Sequence, residues 1–155
     1  AEGAEVIGVI SRPAQAEYVR SLGAATTMVP QDIANGALGV ETIDGVLDTV
    51  AGQSFGACVT ALRPGGVLSQ VGAVGGSDVS FDAYRLLEVT LTGYSSETLD
   101  GPALRRAISS ISERLKQGAI PLPAKTIFPL AQAAAAHAAL EQHGVQGRVL
   151  LVAQH

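Results

Sequence analysis

Apolar positions along the chain fall into two textures. Short, β-branched runs predict strands at residues 6–10 (VIGVI), 45–50 (GVLDTV), 67–71 (VLSQV), 89–94 (VTLTGY) and 148–153 (RVLLVA). Weaker strands are predicted at 25–29, ending at Pro30, and at 125–128. The runs at 6–10 and 45–50 are apolar nearly throughout, the pattern of a parallel strand buried on both faces. Between them lie stretches of helical period. Pro13 suits a first helical turn, Ala14, Ala16, Tyr18, Val19 and Leu22 continue it, and Gly23 can take the left-handed conformation that ends a helix. Phe55, Cys58, Val59 and Leu62 share one helical face, which stops at the Arg63-Pro64-Gly65-Gly66 turn. The longest predicted helix carries Leu104, Ile108, Ile111 and Leu115 as a stripe and closes at Gly118. An alanine-rich helix spans 131–143 and ends at Gly144. Residues 31–44, interrupted by Gly36 and Gly39, carry no clear signal.

Strands alternating with helices of this length predict an α/β fold, a doubly wound and mostly parallel sheet. At 155 residues the chain has the size of a single domain, residues 1–155, without an internal repeat or linker. A hydrophobic fraction of 47% with 15% charged residues argues for an ordered globule. The net charge of -4 argues against a broad footprint for nucleic acid or an anionic membrane, so any phosphate must be held locally. No run approaches a membrane span. The single cysteine, Cys58, excludes an intramolecular disulfide and fits a buried apolar role in a reducing cytoplasm.

Ligands of parallel α/β sheets sit beyond the carboxyl ends of the strands. The residues there are Ser11-Arg12, Asp48-Thr49-Val50, Gly72-Ala73-Val74 and Tyr94-Ser95, mostly small or neutral and shaped for close backbone approach. At the end of the first strand, an acid would suit the ribose hydroxyls of NAD, whereas a cation and a hydroxyl suit the 2′-phosphate of NADP. Ser11-Arg12 is the second arrangement, with a donor fork on arginine and a hydroxyl beside it. An equally open reading has Ser11 capping the following helix while Arg12 faces solvent. Asp48 reads as structural, not as a general base.

The order GAEVIGVISRPAQAEYVRSLGA, DGVLDTVAG, ALRPGGVLSQVGAVGG, LTGY, AQAAAAHAALEQH and QGRVLLV resembles the cofactor-binding half of the medium-chain dehydrogenase/reductase superfamily. Its zinc-free quinone oxidoreductase and enoyl reductase branch is nearest, and the likeness covers essentially the whole chain. The resemblance implies a Rossmann-type sheet and an NADP(H)-dependent oxidoreductase that passes hydride to a quinone or an activated C=C. It places Ser11 and Arg12 at the adenosine 2′-phosphate, Thr49 and Val50 at the adenine-ribose side, and Gly72, Ala73 and Val74 at the nicotinamide end. Tyr94 and Arg148 are further cofactor-binding positions by the same resemblance, and no catalytic residue or metal ligand is implied. It also implies a homodimer in which the edge strand 89–94 pairs with its copy, because nothing in VTLTGY discourages pairing.

The departures from the family carry their own expectations. No G-x-G-x-x-G phosphate loop precedes VIGVI, and the usual first, central strand and the catalytic domain are lacking. In the strand order 3-2-1-4-5-6, runs 6–10 and 45–50 would then flank a gap. Unpaired buried backbone groups cost about 1–3 kcal/mol each. The chain is therefore expected to be the C-terminal part of a dinucleotide-binding domain within a longer protein, inactive alone, or a piece that needs strand donation. Its start at Ala1, without methionine, fits that expectation.

His137 and His143 would face directions about 240° apart on one helix, so they cannot share a metal. His137 is expected to pack against the fold, with His143 and His155 in solvent. Two other classes stay open. GVLDTV followed by LRPGGVLSQVG also resembles S-adenosylmethionine-dependent methyltransferases, although these expect an acid where Ser11-Arg12 stands. A non-catalytic oligomerisation module using strand 89–94 is the other.

Overall fold

The computed structural model describes residues 3–142 and 145–153. The chain divides into two compact units: Glu5–Leu104 forms one, and the chain from Arg105 onward belongs to the other. In the larger unit, β1 (Ile7–Val9) leads through a 3-10 turn at Pro13–Gln15 into α1 (Ala16–Ser21), followed by β2 (Thr26–Met28) and α2 (Pro30–Ala34). Next come β3 (Ile43–Asp48), α3 (Phe55–Ala61), β4 (Leu62–Gln70) and β5 (Thr90–Gly93). The helix α4 (Gly101–Lys116) begins at the end of this unit and lies mostly in the other. The smaller unit adds β6 (Lys125–Pro129), α5 (Ala133–Glu141) and β7 (Arg148–Val152).

Every strand pair among the described residues is parallel. β1 pairs with β2 from Ile7↔Thr26 to Val9↔Met28, β3-β4-β5 form a second ladder, and β6 pairs with β7. This is the Rossmann-like α/β architecture that the alternation of strands and helices predicts. The core of the larger unit gathers Ile33 from α2, Phe55, Cys58 and Val59 from α3, and Leu62 and Leu68 from β4. Each such aliphatic side chain contributes about 1.5–3 kcal/mol by leaving water. Phe55 also meets Phe81 with ring centroids 5.8 Å apart, a tilted pairing.

Three sequence expectations need correction. The strands read as buried on both faces are open on one: Val9 is 53% exposed and Leu47 is 74% exposed. The reason is that, among the described residues, β1 and β3 are each paired on one edge and do not pair with each other. Second, residues 31–44 do contain a helix, α2, begun by Pro30 and fixed by burial of Ile33 to 1% exposure. Glycines at 36 and 39 take positive φ just after it, which is why the local pattern hides it. Third, the Arg63-Pro64-Gly65-Gly66 turn lies inside β4, where the register passes from Ile43↔Leu62 to Gly45↔Val67. Gly65 at φ +80 absorbs that bulge.

His137, expected to pack against the fold, is exposed on α5. His143, Gly144 and His155 lie outside the described residues. Of the stripe predicted on α4, Leu104, Ile108 and Ile111 are 47%, 55% and 53% exposed, and Leu115 is half-buried.

Candidate functional site

A cavity of about 610 Å³ opens between β1 and β3, with Ile7 and Val9 on one wall and Val46 and Leu47 on the other. At the carboxyl ends of these strands it is rimmed by Ser11, Thr49, Val50 and Val74. Four of the nine residues predicted to bind cofactor thus share one cleft. Arg12, Gly72, Ala73 and Tyr94 do not contribute to its lining, and Arg148 opens β7 in the smaller unit.

The turn after β1 is organised by a residue that sequence reasoning passed over. Gln15 Oε1 accepts from the Ser11 N–H, the Ser11 hydroxyl and the Arg12 N–H, at 3.1, 3.0 and 3.1 Å. Ser11 therefore does not cap the following turn with its side chain. Instead Gln15 reaches back, and Ser11 stays exposed at the cleft. Arg12 is half-buried, and its Nε is buried without a hydrogen-bond partner. A guanidinium held this way still has donor capacity to offer an anion. The signal was legible as a glutamine three residues after Arg12, the spacing of a helix-start side chain that returns to the backbone.

The other rim is built from two loops locked together. Asp48 is 8% exposed, and its Oδ1 accepts from the N–H groups of Val50 at 2.8 Å and Ala51 at 2.9 Å. This agrees with a structural role, and it fixes a tight turn in which Ala51 takes φ +57 and Gly52 φ +67. The loop after β4 lies directly on it: Gly75 donates to the Val50 carbonyl at 2.8 Å. A Cβ on Gly72 would stand 2.9 Å from the Thr49 carbonyl, and one on Gly75 would stand 2.7 Å from Val50 Cγ1. The small residues after β4 therefore allow backbone to approach backbone, leaving Val74 89% exposed at the rim. Tyr94 follows β5, donates its N–H to the Gln70 carbonyl at 2.9 Å and is half-exposed.

Residues 22–151 match the family described as zinc-binding dehydrogenase. The chain belongs to that family. Among solved structures, a mycobacterial quinone oxidoreductase is 26% identical with a TM-score of 0.79, over 95% of this chain and 48% of the other. The YhdH protein of Escherichia coli K-12, solved with bound NADPH, is 23% identical with a TM-score of 0.74, over 96% of this chain and 47% of its own. The YhfP protein of Bacillus subtilis, solved with NAD bound, is 22% identical with a TM-score of 0.74, over 96% and 47%. The chain thus spans under half the length of these structures. No curated protein matched.

The zinc in the family's description finds no fit here. Among the described residues no three His, Cys, Asp or Glu side chains gather as metal ligands. Cys58 lines the cleft floor, but burial first and the nearby Asp48 charge second push its thiol up to about 11 from 9.0. Thiolate, the form that ligates or attacks, is thereby disfavoured. At pH 8 the native thiol should react with maleimide about a hundredfold more slowly than in the urea-unfolded chain, since two pKa units remove about that much thiolate. Equal labelling rates would contradict the buried environment. A raised acid pKa also means that this group's contribution to stability is present below pH 9 and lost as pH climbs towards 11.

Proposed function

We propose that this chain is the NADP(H)-binding portion of an oxidoreductase that passes hydride to a quinone or an activated C=C compound. The observation that carries the reading is the partnerless Nε of Arg12 just after the carboxyl end of β1, next in sequence to the exposed Ser11 on the rim of the cleft. A cation and hydroxyl there suit a 2′-phosphate, and no acid is present at that turn to hold ribose hydroxyls instead. The NADPH bound to the Escherichia coli YhdH protein and the NADP bound to the Salmonella enterica yhdH oxidoreductase support the choice. Thr49 and Val50 would line the adenine-ribose side, and Gly72, Ala73 and Val74 the nicotinamide end, with Tyr94 and Arg148 as further contacts. When bound, the nucleotide supplies the hydride. The residues of this chain hold and orient it, and no side chain among them is placed as acid or base.

Substrate contacts are assigned to the part of the relatives' length that this chain does not span, in a cytoplasmic enzyme. NADPH oxidation should accordingly appear only when such a catalytic domain is supplied, and turnover by these residues alone would refute that assignment. Binding of S-adenosylmethionine in place of NADPH would transfer the chain to the methyltransferase reading.

The same reading includes a two-fold dimer along β5. This strand pairs only with β4 among the described residues, and its outer edge is open. Tyr94 donates towards β4, so by the alternation of parallel ladders Leu91 directs its N–H away from β4. Leu91→Pro removes that outward donor while sparing the β4 ladder, and it should convert dimer to monomer on light scattering. A dimer that persists with an unchanged circular dichroism spectrum would place the interface elsewhere.

A further inference from the structure

We infer that Gln70, the last residue of β4, is a positioning residue for the nicotinamide side of the nucleotide: its side chain turns the Gly72-Ala73 peptide so that the Ala73 N–H is presented to a carbonyl acceptor on the bound ring. Gln70 Nε2 donates to the Gly72 carbonyl. That bond fixes the orientation of the amide, since the flipped side chain would set Oε1 against another acceptor. In a trans peptide the carbonyl and the following N–H point in opposite directions. A Gly72 carbonyl held towards Gln70 therefore turns the Ala73 N–H away from it. Ala73 is exposed, and its N–H donates to no group among the described residues.

The fold alone does not call for an amide at this place. β4 is the middle strand of its ladder, paired with β3 through Asp48↔Gln70 and with β5 through Gln70↔Gly93. By strand alternation Gln70 shares a face with Leu68, which is fully buried in the core. An aliphatic side chain there would continue that core. The amide instead leaves its Oε1 buried without a hydrogen-bond partner, a cost that an apolar side chain of similar length removes. A polar group that the core does not need and leaves half-satisfied is accounted for by what it holds. Gln70 holds the junction of three loops. Its own carbonyl accepts from the Tyr94 N–H at 2.9 Å, and Gly72, which it grips, lies so close to the Thr49 carbonyl that a Cβ would stand 2.9 Å from it.

The test is Gln70→Met in the full chain, which keeps the length of the side chain and removes both the donor and the orphaned acceptor. Its urea midpoint should equal or exceed that of the unaltered protein. Affinity for NADPH should fall about fivefold or more, the worth of one hydrogen bond, while affinity for 2′,5′-ADP, which carries the 2′-phosphate but no nicotinamide, should stay within about twofold. In the unaltered protein NADPH should slow amide exchange at Ala73 by about tenfold, and 2′,5′-ADP should not. The role of Gln70 rests on the NADP(H) reading, and the two fail differently. Binding of neither nucleotide by the unaltered protein would refute that reading and the role together. Binding of both would leave the reading standing, and the role alone would then be overturned by a variant that loses both equally or neither, by a lowered urea midpoint, or by an unprotected Ala73 amide.

Discussion

Arg12→Ala should weaken NADPH binding by about tenfold or more while leaving NADH nearly untouched. A charge-assisted hydrogen bond to phosphate is worth about 1.5–3 kcal/mol, and each 1.4 kcal/mol is tenfold in affinity. The unaltered protein should accordingly bind NADPH at least about tenfold more tightly than NADH in a fluorescence titration. The geometry explains why the effect should be selective. Arg12 is half-buried with a spare donor, and Gln15 fixes the backbone on which it and Ser11 sit. Equal affinities for the two nucleotides would remove the basis for the NADP(H) assignment. A uniform loss for both in the variant would point to damage to the fold. Gln15→Ala offers a graded companion, since it frees the turn without removing the cation and should cost less than Arg12→Ala.

Asp48→Ala should destabilise the larger unit by about 2–4 kcal/mol, because it leaves the N–H groups of Val50 and Ala51 without their shared acceptor in a buried turn. Urea denaturation followed by circular dichroism measures this directly. The turn also carries Thr49 and Val50 and supports the Gly75 loop, so nucleotide affinity should fall together with stability. Asp48→Asn keeps an acceptor in place and should recover much of the loss. A change below about 1 kcal/mol for Asp48→Ala would mean that the loop is held mainly by backbone contacts between the segments after β3 and β4.

Much of this protein was determined by local pattern. The apolar runs at 6–10, 45–50 and 89–94 became strands because β-branched residues favour extended backbone and the flanking glycines and prolines end it. Helices ending at Gly23 and Gly118 follow from the left-handed conformations these residues take, φ +109 and +69. Small residues after β4 already announced a close approach, although not what would approach. The tertiary structure decided what local rules cannot express. It made α2 a helix by burying Ile33, and it turned Asp48 inward to hold a turn. It brought Ser11, Thr49, Val50 and Val74 to one cleft from strands that do not touch in sequence. It also left Val9 and Leu47 exposed, against a pattern that asks for burial on both faces. Periodicity records which side chains require covering, whereas the pairing of strand edges determines whether anything covers them.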